Sequence, residues 1–122
     1  MTKNEIRTYE DLFIWQKAMT LVPEANKLSK SFPVEEQYSL TSQIRRCAVS
    51  IPSNIAKSFG RNLKQDFISF LGISMGSLFE LQTQIRIALN LKYIIQEVYN
   101  VSLNLTKELE RMLSSFIHSI QK

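Results

Sequence analysis

Apolar residues recur at three- and four-residue steps along four segments of the chain, which is the spacing of one face of an α-helix. The segments run from about Tyr9 to Ser31, from Val34 or Glu35 to Phe59, from Lys64 to Asn90, and from Gln96 to Ile120. No alternating pattern of β type and useful length separates them. Four long helices with short links predict an all-α fold, an antiparallel up-down-up-down four-helix bundle.

Each predicted helix has an apolar stripe that we expect to face the core. In chain order the stripes are Leu12, Trp15, Met19, Val22, Ala25 and Leu28; Leu40, Ile44, Ala48, Ile51 and Ile55; Phe67, Leu71, Ser74, Leu78, Leu81, Ile85 and Ala88; and Val98, Val101, Leu105, Leu109, Met112 and Phe116. Further apolar residues lie off these stripes, namely Phe13, Ile14, Ile68, Met75 and Phe79. Because a large exposed apolar patch usually marks an interface, they predict a homo-oligomer.

Two prolines fall inside the predicted helices. Pro23 removes one backbone hydrogen bond from the first helix, so a bend is expected there. Pro52 interrupts the second helix, but the apolar stripe continues in phase on both sides of it. We therefore predict a kink and no chain reversal, with Ile51 and Ile55 both facing the core.

Small residues inside the helices have structural interpretations. Gly72 and Gly76 each cost about 1 kcal/mol relative to alanine in a helix interior, so they predict close approach of a neighbouring helix. Cys47 is the only cysteine and lies beside the apolar stripe, which is typical of a small core residue. A lone cysteine also excludes an intrachain disulfide and a thiolate metal cluster.

Length and composition agree with one globular domain. The 122 residues suffice for one hydrophobic core, so residues 1–122 are predicted as a single domain with a flexible N-terminal arm at residues 1–8. The polar start carries an acid, which is not typical of a secretory signal. No apolar run approaches the ~18 residues of a membrane span. A cytoplasmic location without membrane contact is expected.

The sequence lacks the usual marks of an active site. His118 is the only histidine, whereas metal centres and nucleophilic triads need several positioned groups. Neither a phosphate-binding glycine loop nor the Glu-x-x-His pairs of di-iron bundles occur. We expect no catalytic residue, no metal site, no cofactor and no enzymatic activity.

Charge is distributed unevenly. The formal net charge is only +4, but between residues 37 and 65 every charged side chain is basic. On an ideal helix Arg46, Lys57 and Arg61 lie within about 60° of one another and opposite the apolar stripe. With Lys64 they form a candidate surface for neutralising phosphates. A solvated helix face is the alternative interpretation.

Arg45 is predicted apart from that basic surface. It flanks the boundary of the face, where Glu80 of the third helix is a candidate partner. A structural ion pair between Arg45 and Glu80 is therefore the interpretation for this arginine.

Three stretches of the chain carry a family resemblance. The longest is YSLTSQIRRCAVSIPSNIA at residues 38–56, and the others are YEDLFIWQKA at residues 9–18 and GSLFELQTQ at residues 76–84. Together they resemble the four-helix-bundle family named for proteins encoded in intervening sequences of bacterial 23S ribosomal RNA genes. The resemblance covers roughly residues 9 to 95, and the fourth helix matches only in character.

The resemblance implies more than the residues alone indicate. It implies a homopentameric, barrel-like ring in a bacterial protein. It also implies kinship with the accessory variability determinant of diversity-generating retroelements, a basic pentamer that binds nucleic acid and a reverse transcriptase. A nucleic acid, RNA or DNA, and a reverse transcriptase or another protein are thus the partners it implies.

Several positions depart from the family pattern. Ser39 and Lys92 stand where the family usually has glycine, and Cys47 stands where it has alanine. Lys57 and Ser58 replace a usual acidic residue and glycine. The change at Lys57 adds positive charge to the outward face and favours anion binding.

Two functions of different classes follow. The leading hypothesis is a non-enzymatic, homo-oligomeric accessory protein that binds nucleic acid through outward basic side chains. The alternative is a protein–protein scaffold or interaction module without a nucleic-acid role.

Overall fold

The computed structural model describes residues 5–122, and four helices account for most of them. They are α1 (Phe13–Ser29), α2 (Leu40–Phe59), α3 (Lys64–Asn90) and α4 (Gln96–Gln121). Short 3-10 turns at Tyr9–Asp11 and Val34–Glu36 precede α1 and α2. No strand is present among the described residues. The predicted all-α fold is confirmed.

The helices pack in ring order, each against its two neighbours in the series α1, α2, α3, α4. At one end the α1–α2 and α3–α4 links meet, where the Ser31 hydroxyl donates to the Tyr93 carbonyl at 2.9 Å. At the other end the Lys64 ammonium lies 3.4 Å from the main-chain oxygen of Lys122. This is the up-down-up-down arrangement that short links between long helices produce.

The first two helices begin later than the sequence predicted. Tyr9–Asp11 forms a separate turn closed by a capping box, in which Thr8 accepts from the Glu10 amide and Asp11 accepts from the Thr8 amide. Leu12 is extended, so α1 starts only at Phe13. The predicted flexible arm, residues 1–8, lies partly outside the described residues, and its last residue takes part in this capping box.

Pro52 lies inside a continuous α2, as predicted. Ile51 and Ile55 are both fully buried, so the apolar stripe remains on one face across the proline. Hydroxyl and amide side chains pair with carbonyls around it: Ser74 donates to the Ile51 carbonyl and Asn54 to the Ser50 carbonyl, each at 2.8 Å. Pro52 has no N–H to donate to the Ala48 carbonyl four residues earlier, so these side-chain bonds add contacts beside the proline and do not replace the missing main-chain bond.

The buried face of α1 differs from the predicted stripe. Ile14, Ala18 and Leu21 are buried, whereas Met19 is 42% exposed and Trp15 lies at the boundary of the core. The three- and four-residue spacing of Leu12, Trp15, Met19 and Val22 predicts a neighbouring face of the same helix. Helix α1 packs against both α2 and α4, and this packing buries the face that carries Ala18. The small side chain of Ala18 permits close helix approach.

The first half of α4 is also rotated relative to the prediction. Val98 and Val101, predicted inward, are 36% and 57% exposed, and the buried positions there are Tyr99, Ser102 and Thr106. These buried polar groups have hydrogen-bond partners. The Thr106 hydroxyl donates to the Leu103 carbonyl at 2.6 Å, and the Tyr99 hydroxyl accepts from the guanidinium of Arg86 on α3 at 3.1 Å. Satisfied hydroxyls can be buried at low cost, which leaves the valines outside.

Gly72 and Gly76 do not mediate close packing within the chain, which corrects the prediction made from the sequence. A Cβ atom added to either glycine would meet nothing within 4 Å, and both residues are exposed. Both lie on the outward face of α3, away from the other helices. No helix among the described residues is long and apolar enough to cross a membrane.

Candidate nucleic-acid interface

Two of the predicted basic residues share the outward face of α2. Arg46 and Lys57 are both exposed and eleven residues apart. On an ideal helix this spacing places them about 20° apart around the axis and about 16 Å apart along it. The buried Ile44, Ala48 and Ile51 lie on the other side of the helix. Their predicted outward direction is confirmed.

Arg61 lies outside α2, because that helix ends at Phe59 and is capped by Gly60. The predicted angle for Arg61 assumed that the helix continued, and this assumption is wrong. Its guanidinium carbon lies 4.5 Å from the centre of the Phe70 ring, a cation–π contact. This contact attaches the α2–α3 link to the first part of α3.

Arg61 and Lys64 line one hollow of about 320 Å³ at this end of the bundle. The hollow lies between the α2–α3 link and the last turns of α4, and its other lining residues are Asn62, Leu63, Phe67, Phe116 and Ile120. The structure thus brings together two of the four predicted residues. Lys57 occupies the last turn of α2, and Arg46 lies three turns earlier.

The basic side chains have no acidic partner. The ion pairs within 4 Å in the described part of the chain involve Arg7, Lys17 and Lys107, and none involves the four predicted residues. No aspartate or glutamate side chain therefore neutralises these four exposed charges by direct contact, and Lys64 contacts only the main-chain oxygen of Lys122, at 3.4 Å. Such charges attract phosphates without reading base sequence.

Arg45 does not form the predicted ion pair with Glu80 in this structure. Its Nε donates to the Ser29 hydroxyl at 2.8 Å, and Glu80 accepts from the Gln84 amide at 3.1 Å. Arg45 is half-buried between α1 and α2, where Ser29 is the nearer acceptor. The difference arises because α2 presents Arg45 toward α1, away from α3.

Cys47 is a buried structural thiol. Its Sγ donates to the Ser77 carbonyl at 3.0 Å. Burial, with a smaller effect from the negative charge of Glu80, raises the pKa of the Cys47 thiol to about 12. A protonated, enclosed thiol is a poor nucleophile and a poor metal ligand.

Other titratable groups do not form a metal-binding set. Within residues 5–122 there is no group of three or more histidine, cysteine, aspartate or glutamate side chains that could hold a metal ion. His118 is exposed near the end of α4.

A second surface, which we call the α1–α4 groove, is mainly apolar. It encloses about 450 Å³ between the end of α1 and the start of α4, and its apolar lining includes Ile95, Val98 and Val101. Farther along the same helix pair, the Lys17 ammonium contacts the Glu108 carboxylate at 2.8 Å. The apolar stripe predicted for the core of α4 thus faces this groove in its first half.

Sequence reasoning missed the aromatic lining of the hollow at Arg61 and Lys64. The spacing predicts Phe67 in the core stripe of α3 and Phe116 in that of α4, whereas both are only half-buried. Their ring centres lie 6.3 Å apart. The available signal was that Phe67 follows Lys64 by three residues, which places the two side chains on neighbouring positions of one helix face.

Comparison with known proteins places this fold in context. Residues 10–115 match the family model described as 23S rRNA-intervening sequence protein. A crystal structure of a protein with unknown function from the S23 ribosomal protein family of Bacteroides thetaiotaomicron is similar, with a TM-score of 0.77 and 26% sequence identity. The similarity covers 85% of this chain and 97% of that one. No curated protein matches.

Proposed function

Since the chain belongs to the family of 23S rRNA-intervening sequence proteins, we propose that it is a non-enzymatic, homo-oligomeric accessory protein that binds nucleic acid. Arg46, Lys57, Arg61 and Lys64 supply the binding surface. The observation that carries the proposal is the exposure of these four side chains without a single acidic partner within 4 Å.

One subunit offers too few charges for tight binding. Each phosphate contact adds to the binding free energy by an amount that falls as the salt concentration rises. Three or four such contacts give weak binding at physiological salt. Repetition of the surface around a ring raises the avidity without any new type of contact. Self-association is therefore part of the proposed mechanism, and the family resemblance favours five subunits.

Exposed apolar side chains support self-association. The α1–α4 groove presents Ile95 and Val101, which are 61% and 57% exposed. On α3, Ile73 and Phe79 are about half exposed beside the two outward glycines. Because these two faces lie on different sides of the bundle, they favour head-to-tail contacts, which close into a ring when the rotation permits.

The test compares the parent with Arg46→Ala/Lys57→Ala/Arg61→Ala in binding RNA and DNA at low and physiological salt. We expect weaker binding and a shallower salt dependence in the variant. The log–log slope changes by about 0.9 per lost phosphate contact on duplex DNA and about 0.7 on a single strand. Fluorescence anisotropy with labelled oligonucleotides measures both quantities.

A matched control removes the same charge elsewhere. Lys30, Lys107 and Arg111 are exposed and lie outside both the proposed surface and the α1–α4 groove, so Lys30→Ala/Lys107→Ala/Arg111→Ala has the same net charge as the test variant. Equal losses in both triple variants would indicate a general charge effect and contradict the proposed surface. Light scattering and thermal unfolding establish beforehand that mass and fold are unchanged.

The exposed apolar faces also favour a second function, that of a protein scaffold. In that case the occupant of the α1–α4 groove is another protein, for which a reverse transcriptase is one candidate through the implied retroelement kinship. A parent chain that binds no nucleic acid at low salt would favour this alternative.

A further inference from the structure

The hollow at the end of the bundle combines charge with aromatic surface. Four of its lining residues carry the argument: we call the exposed Arg61 and Lys64 its rim, and the half-buried Phe67 and Phe116 its floor. Its volume of about 320 Å³ falls within the range of ~300–1,000 Å³ typical of small-molecule clefts. A surface that bound only phosphates would need the cations and not the aromatic floor.

The aromatic floor is ordered by its own packing. The Phe67 and Phe116 rings are 6.3 Å apart with 33° between their planes, so they join α3 to α4. Exposed Leu63 extends the apolar surface toward the α2–α3 link. The floor therefore belongs to two helices and a link, which preorganises it before any ligand arrives.

The cationic rim is held in place and is not opposed by a nearby acid. Arg61 packs over the Phe70 ring, and its main-chain amide donates to the Ser58 carbonyl at 3.1 Å. Asp66 is the nearest acid in the chain, but two residues along a helix place it about 160° from Lys64 around the axis. Lys64 itself contacts only the main-chain oxygen of Lys122, at 3.4 Å.

We propose that this hollow binds an unpaired base of single-stranded nucleic acid, with Arg61 and Lys64 on the flanking phosphates. Single-strand binders combine a basic track with aromatic side chains against which bases stack. In a duplex the bases are stacked inside, so only its phosphates reach this surface. The inference rests on the proposed function and names its ligand class.

The test uses Phe67→Leu and Phe116→Leu, which retain apolar volume while removing the ring. Binding is measured by anisotropy to a labelled oligo-U or oligo-dT strand and to a duplex of equal length. We expect each variant to lose about fivefold or more in affinity for the single strand, given the usual contribution of base–aromatic stacking. Affinity for the duplex stays within about twofold of the parent, because phosphate contacts remain.

Tyr38→Leu is the matched control, since Tyr38 is an 89% exposed aromatic residue in the α1–α2 link, at the opposite end of the bundle from the hollow. It leaves single-strand binding unchanged. Thermal unfolding identifies variants that are not folded, and Lys64→Gln, an exposed substitution on the rim, then supplies a second test: it weakens single-strand binding more than Lys30→Gln.

The outcomes separate this inference from the proposed function. Equal losses for single strand and duplex in the phenylalanine variants, or no loss, overturn the base-binding hollow while the basic surface stands. Absence of binding to either nucleic acid by the parent overturns both. A parent that binds duplex as tightly as single strand, with no effect of either phenylalanine, limits the surface to phosphates.

Discussion

Cys47 shows how its surroundings decide the chemistry of a residue. The side chain is 6% exposed, and its Sγ donates to a main-chain carbonyl of α3. The pKa of the thiol is raised to about 12, mainly by burial. In the unfolded chain the thiol is solvated and its pKa returns to the ordinary value of about 9.0. The protonated thiol thus stabilises the fold below about pH 9, and this contribution is lost as the pH rises from about 9 toward 12.

We predict that Cys47 reacts slowly with a disulfide reagent at neutral pH. The thiolate fraction falls tenfold per pKa unit, so the folded chain should react at least about 100-fold more slowly than the unfolded one. Ser53→Cys is the control, because Ser53 is exposed on the same helix and a thiol there reacts at once. Absorbance kinetics in buffer and in denaturant measure both rates, and rapid labelling of Cys47 in the folded parent would contradict the buried site.

At the scale of elements, the end of α3 explains how the last two helices are joined. The Tyr93 amide donates to the Ala88 carbonyl and the Lys92 amide to the Leu89 carbonyl, each at 2.9 Å. This pair of bonds is a Schellman motif, whose residue after the C-cap adopts a left-handed conformation. Lys92 has φ 65°, the only positive φ of a non-glycine residue in residues 5–122. Glycine adopts this conformation without a steric penalty, whereas the Cβ atom of lysine makes it costly.

We predict that Lys92→Gly raises the free energy of unfolding by about 1 kcal/mol, because glycine removes the left-handed penalty. Lys92→Ala is the control: it removes the same charge but keeps the Cβ atom, so stability stays within about 0.5 kcal/mol of the parent. Chemical denaturation measures both. Equal stabilisation by the two variants would show that charge, and not backbone conformation, determines the effect.

For the whole molecule, the main feature is apolar surface that the isolated chain leaves exposed in the α1–α4 groove. Val98 and Val101, from the predicted apolar stripe of α4, line this groove. The hydroxyl residues Ser102 and Thr106 occupy the adjacent buried positions. A helix that exposes valines while burying serine and threonine gains further burial when a second subunit covers it. The proposed self-association supplies that cover.

We predict that Val101→Asp weakens self-association while leaving the subunit folded, because a carboxylate in a covered apolar groove loses its hydration. Ser114→Asp adds a carboxylate at an exposed position farther along α4, about 140° around the axis from Val101 and outside the groove, and should leave the mass unchanged. Light scattering over a concentration series compares both with the subunit mass of 14.2 kDa. An unchanged mass for Val101→Asp would exclude this groove from the interface, and a parent of 14.2 kDa throughout would contradict self-association.

Periodicity alone determined the number of helices, their order and the all-α class, because local hydrophobic spacing and the short links suffice for these. It also placed Ile51 and Ile55 on one face across Pro52. Only the tertiary structure decided the rotation of α1 and α4, the separate turn before α1 and the outward position of Gly72. Rotation depends on how side chains of neighbouring helices fit, and several faces of one helix can have similar hydrophobicity. The meeting of Arg61 with aromatic residues from two helices likewise required the bundle, since those residues are far apart along the chain.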